Sequence, residues 1–108
     1  MERDDASLVL DIRTACSRIV AKSNGMTLEQ FENNEDVQDI IYRQFGKIGE
    51  AANNLSDDFL ERYQHVKWGK IVSLRNRVVH DYSELDLSRI WRIVQDEVPS
   101  LLKALENA

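Results

Sequence analysis

Apolar residues recur every three or four positions along most of the chain, which is the spacing expected of a buried helix face. Residues 2–23 form the first such stretch, stopped by Gly25, and its apolar positions are Leu8, Ile12, Ala15 and Ile19. Thr27 and Gln30 have the spacing of a capping box and predict a short second helix. The chain therefore opens with one long and one short helix.

A second long helix is predicted from about Asp36 to Asn54, because one broad stripe of that segment is apolar. Gly46 and Gly49 lie on it three residues apart. Glycine inside a helix costs about 0.5–1 kcal/mol relative to alanine, so the pair predicts the close approach of another helix. Ser56 is then a good N-cap for a short helix.

Two further helices are predicted, one over about 67–79 and a last one beginning near Asp86. Pro99 lies inside the last helix and should kink or restart it. No segment alternates with the period of a strand. The expected fold is an all-α bundle of four or five helices, built as one domain over residues 1–108. A domain of this size has a modest stability margin, so pairing could add to it.

Composition narrows the protein class. Hydrophobic residues make up 43% and charged residues 31% of the chain, which is too apolar for a disordered protein. No apolar run approaches the roughly 20 residues that a membrane-spanning helix needs. The first residues, MERDDASL, contain no apolar signal-peptide core. With Cys16 as the single cysteine there is no internal disulfide, and a cytoplasmic location is expected.

The charge is unevenly distributed. The net charge is −5, yet residues 62–80 contain five basic residues and no acidic one. The remaining residues therefore sum to +9 − 19 = −10. A basic segment in an acidic protein can concentrate a polyanion at one place. On charge alone, a solvated basic helix face is the more ordinary interpretation.

The residues best suited to chemistry follow one another from Arg75 to Tyr82, in the order R-N-R-V-V-H-D-Y. Arg75 and Arg77 are permanent planar cations suited to phosphate. His80 matches proton transfer near neutral pH, and Asn76 can orient a phosphate or hydroxyl. A cation beside an acid–base group is what RNA cleavage by 2′-hydroxyl attack requires.

Helix geometry qualifies this interpretation. At about 100° per residue, Arg75 and His80 differ by about 140° and do not share a face, whereas Arg75 and Tyr82 nearly align. The motif therefore functions only if the helix ends or loosens near Val79–His80, or if a second subunit contributes. Turn-favouring residues follow at Asp81 and Ser83, which makes a helix end plausible there.

The segment resembles the R-x4-H signature of HEPN-domain ribonucleases, and in particular the R-N-x3-H-x-Y motif of HepT-like toxins. Similar residues recur outside the motif, at Ile48–Ala52, Leu55–Asp57, Tyr63, Trp68, Asp86–Trp91 and Val98-Pro99. The resemblance covers roughly residues 5–105. Many relatives have a proline before the position of Trp68, where this chain has Val66-Lys67, and only a changed local turn is expected from that departure.

The resemblance implies a HEPN-like homodimer in which both motif copies face one cleft and no metal or cofactor is needed. Arg75 and His80 would be the catalytic pair, with Asn76 and Arg77 positioning the RNA phosphate. It further implies a minimal nucleotidyltransferase antitoxin of the MntA type, which transfers AMP from ATP onto the motif tyrosine, here Tyr82. AMP at Tyr82 would place negative charge where the RNA phosphate must bind.

Several other residues have ordinary structural interpretations beside functional ones. Glu50 could orient Arg75 from the neighbouring helix, or be a plain exposed glutamate. Tyr82 could instead pack across a dimer. His65 has no partner at catalytic spacing and is expected at the surface, whereas Trp68, Trp91 and Cys16 are expected to pack in the core.

Three functions are compatible with the sequence. The leading hypothesis is a metal-independent RNA endonuclease toxin of a type VII toxin–antitoxin pair. The alternative is a non-catalytic nucleotide- or substrate-binding module that docks a minimal nucleotidyltransferase, and the third is a bare helical interaction domain. The presence of both Arg75 and His80 favours the enzyme, because a docking module would not need the pair.

Overall fold

A computed structural model of the chain describes residues 4–83 and 86–108, with the backbone alone for residues 81–83. No strand occurs in this part of the chain, so the predicted all-α fold is confirmed. None of its helices is both long and apolar enough to cross a membrane. The elements in chain order are α1 (Asp5–Ser23), α2 (Leu28–Glu32), α3 (Glu35–Asn53), α4 (Asp57–Arg62), α5 (Trp68–Val72), α6 (Leu74–Ser83), α7 (Leu87–Arg92), a π-helical turn (Ile93–Glu97) and α8 (Val98–Ala104).

Helix α3 is the centre of the bundle. Helix α1 packs along it on one side, and α5 and α6 pack against it elsewhere. The C-terminal α8 returns to α1, and α7 contacts both α6 and α2. The buried side chains between them include Ile12, Ile19, Phe31, Ile41, Phe45, Ile48, Leu74, Val78, Val94 and Leu105. As a result, α6 has one side on the core and the other facing outward.

The predicted helix starts are formed by side chains that cap the backbone. Thr27 and Gln30 make the reciprocal hydrogen bonds of a capping box. The Ser56 hydroxyl accepts from the Phe59 backbone N–H, and it donates to Asp5 Oδ2 at 2.6 Å. This second bond ties the start of α4 to the start of α1, and it lowers the pKa of Asp5 below its usual range.

The predicted helix over 67–79 is wrong in its extent. It is two helices, α5 and α6, separated by a turn at Ser73 whose hydroxyl donates to the Lys70 carbonyl at 3.0 Å. Such a local bond competes with the helical hydrogen-bond ladder. Helix α6 then continues through Ser83, so it does not end near Val79–His80.

Pro99 restarts the last helix, as predicted. It lies in the first turn of α8, directly after the π-helical turn. In a regular α-helix the ring of Pro99 would collide with the carbonyl four residues before it. The wider π-helical turn accommodates the proline ring. It is closed by a hydrogen bond from the Val98 N–H to the Ile93 carbonyl, and α8 begins directly after it.

The two glycines of α3 have different surroundings. A Cβ on Gly49 would lie 3.1 Å from the Val72 carbonyl oxygen at the end of α5. A Cβ on Gly46 would meet nothing within 4 Å. The predicted close approach of another helix is therefore confirmed at Gly49 and wrong at Gly46.

This contrast gives a matched stability test. Gly46→Ala is expected to raise the free energy of unfolding by about 0.5–1 kcal/mol, because alanine favours helix and the site has room. Gly49→Ala should be less stable than Gly46→Ala by about 1 kcal/mol or more, since its methyl group presses on a backbone carbonyl. Urea denaturation of both variants measures the difference, and an equal gain in both would contradict the close packing.

The residues expected to be structural are so placed. Cys16 is fully buried, and burial raises the pKa of its thiol to about 12. The Trp68 indole is buried and donates to the Tyr63 carbonyl at 3.0 Å. Trp91 packs against Phe31 with ring centroids 5.0 Å apart. His65 is exposed, as expected.

Candidate active site

Two buried side chains on α6 determine which of its residues face outward. Leu74 and Val78 lie one turn apart and are each only 1% exposed. Because they fix the inner face of the helix, the positions beside them turn away from the core. The exposed residues are Arg75, Asn76, Val79 and His80. Four residues of the motif therefore lie on the outward half of a packed helix, while Val78 belongs to its inner side.

Arg75 and His80 point in different directions from the outward half of α6. Helix α6 is continuous from Leu74 to Ser83, so the angle of about 140° expected for five residues is kept. Asn76 and His80 are only about 40° apart and lie one turn from each other. Within one protomer, Asn76 and His80 therefore lie on the same side of α6. Arg75 lies on the other flank of the helix.

The flank with His80 borders an open groove of about 540 Å³. Helix α6 contributes one wall, and α7 with the π-helical turn contributes the other. The lining residues are Asn76, Arg77, His80, Arg89, Arg92, Ile93 and Glu97. Arg75 does not line this groove, which separates the two members of the predicted catalytic pair within a single chain.

Arg77 has a structural partner. Its guanidinium makes a two-point ion pair with Glu97, with Nη1–Oε1 at 3.1 Å and Nη2–Oε2 at 2.8 Å. The two side chains are 31% and 33% exposed, and a pair this accessible to water stabilises by at most about 1 kcal/mol. The ion pair of Arg77 with Glu97 joins α6 to the π-helical turn. Glu97 offsets the charge of Arg77 in this arrangement, and the role of Arg77 in phosphate positioning stays a prediction.

Helix α7 contributes two arginines from outside the motif, Arg89 and Arg92, to the groove. Arg89 and Arg92 lie three residues apart, so they share one face of that helix. Arg89 Nε lies 3.1 Å from Asp86 Oδ2 at the start of α7. Arg92 is exposed. The sequence shows that these two arginines share a helix face shortly after the motif. Only the packing of α7 against α6 shows that this face borders the groove of His80.

Glu50 lies away from this region. It lines a wide depression between α1 and α3, of about 1190 Å³, together with Asp5, Arg18 and Gln44 among others. No hydrogen bond or ion pair joins Glu50 to Arg75 in the part of the chain that the structure describes. The predicted orienting role of Glu50 is therefore not supported within one protomer, and its ordinary interpretation as an exposed glutamate fits.

The remaining predictions concern Tyr82 and metal binding. Tyr82 lies in the last turn of α6, and its side chain is outside the described residues. Among the residues that are described, no group of three or more His, Cys, Asp or Glu side chains is arranged to hold a metal ion.

Comparison with known proteins relates the chain to ribonucleases. The family model described as Ribonuclease HepT-like matches residues 12–108. A Methanocaldococcus jannaschii protein named "Putative RNase MJ1380" is 30% identical over 105 residues, which cover 97% of this chain and 96% of that protein. The "Probable ribonuclease HepT" of Thermococcus cleftensis is 27% identical over 107 residues, covering 99% and 97%. No solved structure gave a significant match.

Proposed function

Because the chain belongs to the HepT-like ribonuclease family, we propose that it is a metal-independent RNA endonuclease and the toxin of a type VII toxin–antitoxin pair. One observation carries the proposal. Arg75, Asn76 and His80 are all exposed on α6, in a chain whose residues 12–108 match the family. Cytoplasmic RNA is the proposed substrate.

The proposed chemistry is transfer of the phosphodiester to the neighbouring 2′-hydroxyl. One group removes the 2′-hydroxyl proton while another protonates the departing 5′-oxygen, and a cation stabilises the charge that builds on the phosphate. His80 supplies an acid–base group and Arg75 supplies the cation. Asn76, one turn from His80, would hold a phosphate oxygen or the hydroxyl beside the imidazole. These steps need only protons and side chains of the protein.

A homodimer is part of the proposal, because one protomer holds a single motif histidine and keeps it away from Arg75. With α6 helical through Ser83, a second copy is the remaining way to bring the two groups together. Val79 lies between Arg75 and His80 on the helix and is 42% exposed, which is high for a valine. Packing this face near its symmetry mate would cover Val79 and place both motifs in one cleft.

The proposed partner is a minimal nucleotidyltransferase antitoxin of the MntA type. Its reaction would join the Tyr82 oxygen to the α-phosphorus of ATP and release pyrophosphate, and the phenol proton would be lost. Tyr82 follows His80 by two residues in the same helix. AMP at that position would add negative charge and bulk beside the site that must accept RNA phosphate, which accounts for the proposed inhibition.

The test of the proposed function is cleavage of RNA by the purified wild-type chain in the presence of EDTA. We expect cleavage of a single-stranded RNA, and none of the same RNA carrying one 2′-deoxy nucleotide at the cut position, because the attacking hydroxyl is then missing. Gel electrophoresis of end-labelled strands measures both. Absence of RNA cleavage would favour the non-catalytic binding module, and cleavage only with a divalent metal would refute the metal-independent mechanism.

A further inference from the structure

We propose that the groove between α6 and α7 binds the sugar–phosphate backbone of single-stranded RNA next to the bond that is cut, with Arg92 as its main phosphate ligand and Arg89 as a second one. The inference rests on the proposed function for its substrate class. It adds a binding surface that lies outside the Arg75–Tyr82 motif and is contributed by a different helix.

The charge of the groove supports an anionic ligand. Three arginines line it against one glutamate. Arg77 and Glu97 are bound to each other through two hydrogen bonds and together contribute no net charge. Arg89 and Arg92 are the other two arginines of the lining, which also includes Asn76 and His80, and Arg89 has Asp86 as a partner. A cationic wall opposite an acid–base group is suited to hold a phosphate within reach of the imidazole.

Arg92 is better placed than Arg89 to bind a ligand. Its side chain is exposed, and it makes no hydrogen bond or ion pair with another residue in the described part of the chain. Arg89 lies against the Asp86 carboxylate. Hydrogen bonds from the Ser88 hydroxyl and the Arg89 backbone N–H, together with the nearby Arg89 and Arg92 charges, lower the pKa of Asp86. Because Asp86 lies against Arg89, it competes with RNA for this guanidinium. We therefore assign the larger share of binding to Arg92.

The groove lining also indicates which part of the RNA is recognised. Recognition of single-stranded bases uses aromatic side chains as stacking platforms. None of the lining residues is aromatic in the described part of the groove, and its one apolar lining residue, Ile93, is buried. Trp91, on the same helix, packs against Phe31 instead. Guanidinium groups bind phosphates, which carry no sequence information, so the described lining favours contacts to the RNA backbone.

The experiment measures binding of a short labelled single-stranded RNA to His80→Ala protein, which is used so that the RNA stays intact. Fluorescence anisotropy at several salt concentrations gives the affinity and its salt dependence. Each phosphate contact to a single strand contributes about 0.7 to the slope of log K against log salt. Arg89→Gln/Arg92→Gln in this background should reduce the magnitude of the slope by about 0.7 to 1.4 and weaken binding roughly tenfold at low salt.

Arg92→Lys is the conservative variant and should keep the slope, because the positive charge remains. Arg18→Gln is the matched control, since Arg18 is an exposed arginine in the depression between α1 and α3. The inference is overturned by an unchanged slope in the double variant, by an equal loss in Arg18→Gln, or by no RNA binding of the His80→Ala protein. If the wild-type chain leaves RNA intact while the double variant still changes the slope, the nuclease proposal fails and the RNA groove stands.

Discussion

Replacing His80 by alanine in only one subunit of the proposed dimer is expected to abolish most RNA cleavage. In the proposed cleft, one imidazole removes the 2′-hydroxyl proton and the other protonates the leaving oxygen. A dimer with a single His80 therefore lacks one of the two groups, and each such group contributes roughly 10²–10⁴-fold to the rate. If each chain instead had its own complete site, the mixed dimer would keep about half of the activity.

Coexpression of two differently tagged chains, followed by two affinity steps, isolates the mixed dimer for rate measurements in EDTA. The doubly tagged wild-type dimer and a dimer with one Arg18→Ala subunit serve as controls and should both cleave at the wild-type rate. The His80→Ala and Arg75→Ala homodimers should be nearly inactive. Half-activity of the mixed dimer would refute the shared cleft, and a monomer in solution would refute the dimer itself.

Tyr82→Phe is expected to remain an active toxin and to escape neutralisation almost completely. The phenol oxygen is the proposed AMP acceptor, so its removal leaves the antitoxin nothing to modify. The aromatic ring stays, and so does any packing it makes. Growth of cells that coexpress the variant with the nucleotidyltransferase measures neutralisation, and the intact mass of the purified toxin shows whether AMP has been added.

Tyr63→Phe is the matched control for this experiment. Tyr63 stacks on Phe59 at 4.5 Å between ring centroids, and phenylalanine keeps that contact. This variant should be toxic alone and fully silenced by the partner. Complete silencing of Tyr82→Phe, or AMP found on it at another residue, would contradict the acceptor assignment.

Features that depend on near neighbours could be predicted from the sequence. The capping box at Thr27 and the N-cap at Ser56 are local hydrogen bonds, and both are present as expected. The apolar periodicity located α1 and α3 to within a few residues. The division of the predicted 67–79 helix was missed, because its apolar pattern continues across Ser73 and only the backbone bond of that side chain reveals the turn.

The residues of the candidate site could largely be predicted from the sequence. The contacts that they make with other helices could not. The motif itself identified Arg75, Asn76 and His80, and helical spacing already showed that Arg75 and His80 diverge. The partner of Arg77 could not be predicted, since Glu97 lies 20 positions further along the chain. The contribution of α7 to the groove was missed for the same reason.

The sequence by itself determined the helical fold, the helix caps and the residues available for acid–base chemistry, because periodicity and capping act over one or two turns of backbone. Tertiary structure alone decided three outcomes. The burial of Leu74 and Val78 leaves the outer side of α6 exposed, Glu97 forms an ion pair with Arg77, and Arg92 lines the groove of His80. These outcomes depend on how whole helices pack, and packing is set by the combined burial of many distant side chains rather than by any local pattern.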